Sequence, residues 1–329
     1  MPFYFTRHVQ MEIILGIERL ARSFKNPVAA LGNFDGVHLG HQEIFRKVRE
    51  EALKTGGEGV VVTFEPHPLK VLSPSHCPPL LTPFQKKMML IEKSGILTVF
   101  CIEFTLEFSN LSPNEFVENI LVRKVNPRKL IVGYNYHFGR KKSGDAKMLK
   151  ELCKHFQIEV EIVEPFMLHG VAVSSSRVRE LIKNGKMEES SKLLGTDYFV
   201  IGKVIEGAKR GKTLGFPTAN LALSDELYPP LGVYAVEVIW NHCAYHGVAN
   251  LGKNLTFQPV STESQAPVSL EVHILNFDQM IYGEEIQINF KKRIRNEIRF
   301  ETVSQLLDQI RKDIEWAQEN VFRKGVLVN

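Results

Sequence analysis

The fold is decided by the stretch VAALGNFDGVHLGH, residues 28–41, near the start of the chain. Its first four residues, Val28–Leu31, form a short apolar run of the kind that fills a buried strand. A glycine-rich turn follows, and an amphipathic helical pattern then covers residues 41–54. A strand that leads through glycines into a helix opens a βαβ unit, so this stretch predicts a parallel sheet covered by helices.

The same alternation of apolar runs and helical patterns continues to about residue 165. The N-terminal part of the chain is therefore predicted to be a Rossmann-like α/β domain, in which ligands bind at the carboxyl ends of the parallel strands. The expected strands and helices lie, in chain order, at residues 60–64, 84–94, 97–100, 113–122, 130–132, 145–155 and 158–163.

The pattern changes after Arg179. One helix ends near Gly185, another covers 187–194, and alternating strands with Gly- and Pro-rich turns then run to Phe290, which predicts a β-barrel. Helical spacing predicts a terminal helix that packs across this barrel, through Val303, Leu306, Leu307, Ile310, Ile314 and Ala317.

This change places the domain boundary near residues 186–197 and predicts two domains, 11–186 and 187–329. Residues 1–10 are left open, as an upstream extension or a misassigned start. The Ser- and Pro-containing stretch 258–267 is interpreted as a solvated loop.

Composition limits the possible function classes. The 329 residues are 44% hydrophobic and 24% charged, which is typical of a globular protein long enough for two cores. The net charge of +4 suits small anionic substrates and does not require nucleic acid. The four cysteines form no C-x-x-C pair, so we expect a reducing cytoplasm rather than a disulfide framework or zinc site. The apolar run at 13–17 is too short to span a bilayer or to act as a signal, so no membrane partner is expected.

The turn at residues 32–41 has the chemistry of a phosphate site. Glycines allow a polyphosphate to approach backbone N–H groups at a helix N-terminus, where the helix dipole favours an anion. His38 and His41 stand three residues apart at the start of that helix, and both can face the anion. Two surface histidines beside a tight turn would be the simpler interpretation. No further ligand follows at matched spacing, which argues against zinc.

This motif resembles the HxGH signature of nucleotidylyltransferases, in the long G-x-F-D-G-x-H-x-G-H form of the FAD synthetase branch. Residues 173–179, VSSSRVR, resemble the ISSTxxR motif of the same family, with Ser176 in place of threonine. The resemblance implies catalytic roles for His38, His41 and Arg179. It implies nucleotide binding by Gly32, Asn33, Phe34, Asp35, Gly36, Gly40, Asn135, Ser174, Ser175, Ser176 and Arg177.

Two further stretches, FEPHP at 64–68 and GYNYHFG at 133–139, match that branch with departures. Glu65 stands where the family usually has aspartate, and Asn135-Tyr136 stands where it usually has aspartate-phenylalanine. The missing carboxylate at Asn135 predicts slower adenylyl transfer. Both stretches would otherwise be ordinary loops at strand ends.

The C-terminal glycine-rich stretch at 207–213 is not a Walker A loop. Only three residues separate its glycines, and Pro217 prevents the helix that would have to follow. Instead, PTAN at 217–220, with matching segments further on, resembles the riboflavin kinase domain. In the usual pattern Gly252 is followed by an Arg-Pro-Thr-Phe-type turn, whereas this chain has residues 253–257, KNLTF.

The kinase resemblance assigns further residues. Glu271, on an otherwise apolar strand, is the candidate general base, and the oxygens of Thr218 and Asn220 suit Mg²⁺. The basic run at 291–295 would alternatively be a nucleic-acid patch, but it lacks interleaved aromatic residues. The residues expected to bind nucleotide or substrate are Gly207, Lys209, Arg210, Gly211, Lys212, Gly215, Pro217 and Arg295.

Together the two resemblances predict a two-site enzyme with riboflavin, FMN and ATP as small-molecule partners. Mg²⁺ would act with ATP, and flavins would be both substrate and product. The alternatives are a riboflavin kinase whose N-terminal module is weak or inactive, and an adenylyltransferase for another phosphorylated substrate.

Overall fold

The computed structural model describes residues 11–207, 215–253 and 268–323. Several segments singled out from the sequence lie outside these ranges. They are the start of the chain, the stretch 258–267, residues 254–257 of the turn at 253–257, and Lys209, Arg210, Gly211 and Lys212. Contacts divide the chain into two compact units, Met1–Ser175 and Ser176–Asn329.

The first unit is built on a six-stranded parallel sheet. Its strands are β1 Glu12–Leu15, β2 Val28–Leu31, β3 Gly59–Glu65, β4 Thr98–Glu103, β5 Lys129–Gly133 and β8 Glu159–Val163. Two short hairpins lie outside this sheet. Strand β6 His137–Phe138 pairs with β7 Gly144–Asp145, and β9 Met167–Leu168 pairs with β10 Val171–Ala172. The order across the sheet is β1-β4-β3-β2-β5-β8. The predicted parallel sheet is confirmed.

Helices cover this sheet. They are α1 Leu39–Thr55, α2 Pro68–Leu72, α3 Phe84–Lys93, α4 Leu106–Ser109, α5 Pro113–Glu115 and α6 Ala146–Lys154. The helix predicted at 113–122 is a short α-turn that continues as a π-helix, Phe116–Val125, and a capping box between Ser112 and Glu115 starts it. Helix α1 buries Phe45, Val48 and Ala52 against the sheet, as its periodicity predicts.

The second unit contains a closed antiparallel barrel, which confirms the predicted fold. Its strands are β11 Tyr198–Ile205, β12 Ala219–Leu221, β13 Gly232–Trp240, β14 Cys243–Lys253, β15 Val268–Ile274 and β16 Glu285–Arg295, arranged as β11-β12-β15-β14-β13-β16. Its helices are α7 Ser175–Lys183, which starts at the last residue of the first unit, α8 Met187–Leu194 and α9 Val303–Ala317, which continues as a π-helix, Gln318–Phe322.

The terminal helix packs on the outer face of the barrel. Ala317 and Ile314 join Val233, Ala235 and Val248 in one apolar cluster. This packing covers the part of the outer face around Val233, Ala235 and Val248.

Candidate functional site

The loop after β2 lies where parallel-sheet proteins bind ligands. Strand β2 has β3 on one side and β5 on the other, so the chain changes direction across the sheet at this point. In the loop itself, Phe34 and Val37 have φ values of 51° and 40°, and both side chains are buried. Burial of these two side chains holds a left-handed backbone that residues other than glycine rarely adopt.

The two histidines meet at the start of α1. His38 is the N-cap residue, and its ring stacks on that of His41 with centroids 3.6 Å apart. The rings of Phe34 and His41 meet nearly at right angles, with centroids 5.2 Å apart. Among the residues that the structure describes, none forms a hydrogen bond with the buried Nδ1 of His41. Burial, reinforced by the neighbouring His38, holds the pKa of His41 well below its usual value, so this imidazole is neutral at physiological pH.

The Asp35 side chain stabilises the loop through buried hydrogen bonds. Its side chain is 5% exposed. The carboxylate accepts hydrogen bonds from the backbone N–H groups of Leu81 and Thr82, at 3.0 and 2.9 Å, and from the Thr82 hydroxyl at 2.9 Å. The same hydroxyl accepts from the Gly36 N–H at 2.9 Å. The carboxylate predicted to bind nucleotide therefore binds the segment at 81–82 and fixes the shape of the loop.

A buried lysine supports the same end of the sheet. Lys87 is 5% exposed, and its ammonium donates to the Phe64 carbonyl at 3.1 Å and lies 3.8 Å from the Glu65 carboxylate. Thr63 in turn donates to the carbonyl of Asn33, at 3.3 Å. Burial lowers the pKa of Lys87, and Glu65 opposes that shift. Sequence reasoning missed Lys87 because a charged residue in an amphipathic helix is normally assigned to the exposed face.

The loop after β5 lies next to that of β2. Asn135 is exposed, and its backbone carbonyl is 2.9 Å from Nδ1 of His137. The hydroxyl of Tyr136 is buried and has no hydrogen-bond partner within the described ranges, and burial raises its pKa above the usual value. The FAD synthetase branch usually has phenylalanine at this position, and phenylalanine would occupy it without burying a hydroxyl.

The serine- and arginine-containing motif begins beside the loop. Ser175 donates to the carbonyl of Asp35 at 2.9 Å, which joins the motif to the histidine loop. Ser174 directly precedes it. Ser176, Arg177 and Arg179 lie on α7 in the second unit, where Arg177 pairs with Glu180 at 2.7 Å.

Strand register assembles the second site. Asn220 on β12 and Asn250 on β14 are both paired with Glu271 on β15, so the three side chains project from the same face of the sheet. Leu270 and Val272, which flank Glu271, are fully buried inside the barrel. Glu271 therefore faces outward, between two amides. Sequence analysis did not single out Asn250, because only the register brings it beside Glu271.

The PTAN segment leads into β12 beside this row. The carbonyl of Pro217 accepts from Nδ1 of His273 at 2.8 Å, and the rings of Phe216 and His273 meet edge to face at 5.5 Å. A Cβ atom at Gly207 would lie 2.2 Å from Nδ2 of Asn220, so a larger residue there would displace the Asn220 amide. Gly215, with φ of 82°, has open space around its Cα.

These residues suit a magnesium ion that keeps most of its ligands from phosphate and water. Thr218 and Asn220 carry hard oxygens. Thr218 directly precedes β12, and Asn220 lies within it and is paired with Glu271. Within the described ranges, no group of three histidine, cysteine or carboxylate side chains could hold a metal by itself. The oxygen atoms of Thr218 and Asn220 are of the type that could hold Mg²⁺.

Arg295 has a structural partner in the barrel. Its guanidinium forms a paired hydrogen bond with the buried carboxylate of Asp313 on α9, at 2.8–3.0 Å, and lies over the ring of Phe300. This pairing attaches β16 to the terminal helix. Asp313 was not expected from the sequence, because the helical pattern identified only apolar contacts.

Comparisons with known proteins match both parts of the chain. Residues 21–177 match the family model described as FAD synthetase, and residues 194–321 match the one described as riboflavin kinase. The chain is 40% identical over 292 residues to a bifunctional riboflavin kinase/FMN adenylyltransferase of Listeria monocytogenes, covering 88% of this chain and 90% of that protein. It is 36% identical over 307 residues to one of Buchnera aphidicola, covering 93% and 97%.

A solved Streptococcus pneumoniae structure described as a macrolide-efflux protein has a TM-score of 0.83 and 32% sequence identity, and covers 94% of this chain and 98% of that one. No helix in the described part of this chain has the length and apolar character needed to cross a membrane.

Proposed function

Because the chain belongs to the family of bifunctional riboflavin kinases/FMN adenylyltransferases, we propose that it makes both flavin nucleotides. Its C-terminal part phosphorylates riboflavin to FMN with ATP, and its N-terminal part transfers AMP from a second ATP to FMN, giving FAD and pyrophosphate. The observation that carries this proposal is the presence of both family matches in one chain. We assign residues 11–186 to the adenylyltransferase domain and 187–329 to the kinase domain.

In adenylyl transfer, a phosphate oxygen of FMN attacks the α-phosphorus of ATP, and pyrophosphate leaves. Negative charge grows on the phosphoryl oxygens, so fixed N–H donors and cations lower the barrier. His38 and His41 supply imidazole donors at the positive end of α1. Gly32, Asn33, Phe34, Gly36 and Gly40 shape the turn that receives the phosphates, and Asp35 holds that turn rigid.

We assign the remaining motif residues to the same reaction. Ser174, Ser175, Ser176 and Arg177 bind the nucleotide, and Arg179 stabilises the charge that develops during transfer. Asn135, at the end of the neighbouring strand, contacts the nucleotide as an amide, without the negative charge that aspartate would bring.

In the kinase reaction, the oxygen of the ribityl 5′-hydroxyl attacks the γ-phosphorus of ATP, and ADP leaves. Glu271 accepts the proton that this hydroxyl loses. The outward position of Glu271 between Asn220 and Asn250 supports this role. Thr218 and Asn220 would hold Mg²⁺, which would neutralise phosphate charge when bound with ATP. Gly207, Lys209, Arg210, Gly211, Lys212, Gly215 and Pro217 cover the nucleotide, and Arg295 serves the site by anchoring the end of β16.

The chain's chemistry suits a cytoplasmic enzyme of small molecules, without nucleic-acid or membrane partners. All four cysteines are free thiols, as expected in a reducing compartment. Burial raises the pKa of Cys101 and of Cys153 to about 11, which makes both unreactive.

A direct assay tests the proposal. Purified protein is incubated with riboflavin and ATP, with magnesium or with a chelator, and riboflavin, FMN and FAD are separated by chromatography. We expect FMN and then FAD, both only with magnesium. FMN that never proceeds to FAD, even when FMN is supplied, would support the alternative of a kinase with an inactive N-terminal module. Failure to make FMN would refute the kinase assignment.

A further inference from the structure

His273 lies on the same face of the barrel as the proposed general base. Along β15, Leu270, Val272 and Ile274 are buried, whereas Glu271 and His273 are half-buried and alternate with them. The two side chains therefore project outward, one two residues beyond the other. Glu271 is assigned to accept the proton of the riboflavin hydroxyl, whereas His273 contacts a different group.

That group is the backbone that leads into the magnesium-binding segment. His273 Nδ1 lies 2.8 Å from the Pro217 carbonyl, which is 56 residues away in sequence. A carbonyl oxygen only accepts hydrogen bonds, so Nδ1 must carry a proton, and it does so in one neutral tautomer and in the imidazolium. The hydrogen bond is therefore made in either protonation state.

The position of this hydrogen bond allows it to orient the backbone at Thr218. Pro217 has no backbone N–H, so its carbonyl is the polar backbone group through which the residue can be held. That carbonyl belongs to the peptide unit joining Pro217 to Thr218, and this unit is planar. Fixing the oxygen orients the backbone immediately before the Thr218 hydroxyl. Strand β12 begins only at Ala219, so the ladder does not hold this unit.

We propose that His273 is a positioning residue of the kinase site, which orients the Thr218–Asn220 segment for Mg-ATP by donating from Nδ1 to the Pro217 carbonyl. The proposal rests on the kinase function proposed above. It predicts weaker use of Mg-ATP when the donor is lost, with riboflavin binding preserved.

Three substitutions separate the hydrogen bond from the packing of the ring. His273→Asn places an amide N–H close to the position of Nδ1, whereas His273→Gln places it further out, near Nε2. His273→Phe keeps an aromatic ring against Phe216 but has no donor. The matched control is His246→Gln, because His246 is another barrel histidine that stacks on an aromatic ring, that of Phe322.

Steady-state kinetics of FMN formation are measured with each variant of the full chain. For His273→Gln and His273→Phe, the KM for Mg-ATP should rise about 5- to 10-fold, the effect of losing one hydrogen bond, and the KM for riboflavin should stay within about 2-fold. For His273→Asn and His246→Gln, both constants should stay within about 2-fold of wild type. Adenylylation of supplied FMN reports on the folding of the rest of the chain.

Several results would overturn the proposal. Equal kinetics in His273→Asn and His273→Gln would show that the donor position is irrelevant. Wild-type behaviour of His273→Phe would assign the effect to ring packing, and a rise in the KM for riboflavin would assign it to the flavin side. If wild-type protein makes no FMN, the kinase function itself has failed, whereas active wild type with unaffected variants refutes only the role of His273.

Discussion

The two sites are built in opposite ways. In the first unit, one contiguous stretch of ten residues, 32–41, follows a central parallel strand and is held by a buried network around Asp35. In the second unit, Asn220, Asn250 and Glu271 come from three strands, and only their register makes them neighbours. The first arrangement can be found by reading a motif. The second needs strand pairing, so its motif residues become a site only when the barrel closes.

This difference predicts different responses to substitution. The first site depends on groups buried behind it, so substitutions there should affect folding and activity together. The second site faces outward, so a substitution such as that of Glu271 should affect chemistry with little effect on folding.

Glu271→Gln should reduce the kcat for FMN formation by about 100- to 10,000-fold, because the amide cannot accept the proton of the attacking hydroxyl. Adenylylation of supplied FMN and the unfolding transition of the second unit should not change. Glu285→Gln, at an exposed strand position, is the matched control. A variant that retains its kcat would show that Glu271 is an ordinary outward-facing strand residue.

Replacing His38 and His41 together with alanine should lower FAD formation from supplied FMN by at least about 100- to 1,000-fold, the effect of removing a single fixed donor in comparable sites. FMN formation should persist, because the kinase residues lie in the other unit. His155→Ala, an exposed histidine at the end of α6, is the control. Parallel loss of both products in a folded variant would contradict the division of activities.

Asp35→Ala should lower the free energy of unfolding of the first unit by about 3 kcal/mol, because buried donors of Leu81 and Thr82 lose their acceptor. FAD formation should fall with it. Asp145→Ala, the exposed N-cap of α6, should cost only about 1 kcal/mol. Both tryptophans, Trp240 and Trp316, lie in the second unit, so amide hydrogen exchange in peptides from β2 and α1 is the appropriate measurement.

The stability of the first unit should fall as the pH drops below about 6.5, the usual pKa of histidine. The folded state holds the pKa of His41 below that value, so the unfolded chain binds a proton that the folded chain does not. One such group contributes up to about 1.4 kcal/mol per pH unit. His41→Gln should reduce this slope between pH 6.5 and 5, measured by urea titration with hydrogen exchange, and an unchanged slope would contradict the buried neutral state.

Tyr136→Phe should raise the stability of the first unit by about 1 kcal/mol, because it removes a buried hydroxyl that no residue in the described part of the chain contacts by a hydrogen bond. Tyr198→Phe, whose hydroxyl donates to the Leu227 carbonyl, should instead destabilise the second unit. Hydrogen exchange of peptides from each unit measures both effects. Destabilisation by Tyr136→Phe would indicate that the hydroxyl contributes a stabilising interaction.

Much of the architecture could be predicted because its signals are local. The alternation of apolar runs with helical periodicity identified the parallel sheet, and short strands separated by glycine and proline identified the barrel. The same locality revealed the turn at 32–41 and the PTAN segment. The π-helix at Phe116–Val125 was not predicted, because its apolar spacing does not distinguish it from an α-helix.

The sequence by itself therefore determined the two fold classes and the two motifs, since each depends on residues close together in the chain, and the resemblance to the kinase family identified Glu271 as the candidate base. The tertiary structure decided which groups face one another. In the folded chain, hydrogen bonds link Asp35 to Thr82, Arg295 to Asp313 and His273 to Pro217. These partners lie 18 to 56 residues apart. Strand order and register fix such contacts, and local periodicity carries no information about them.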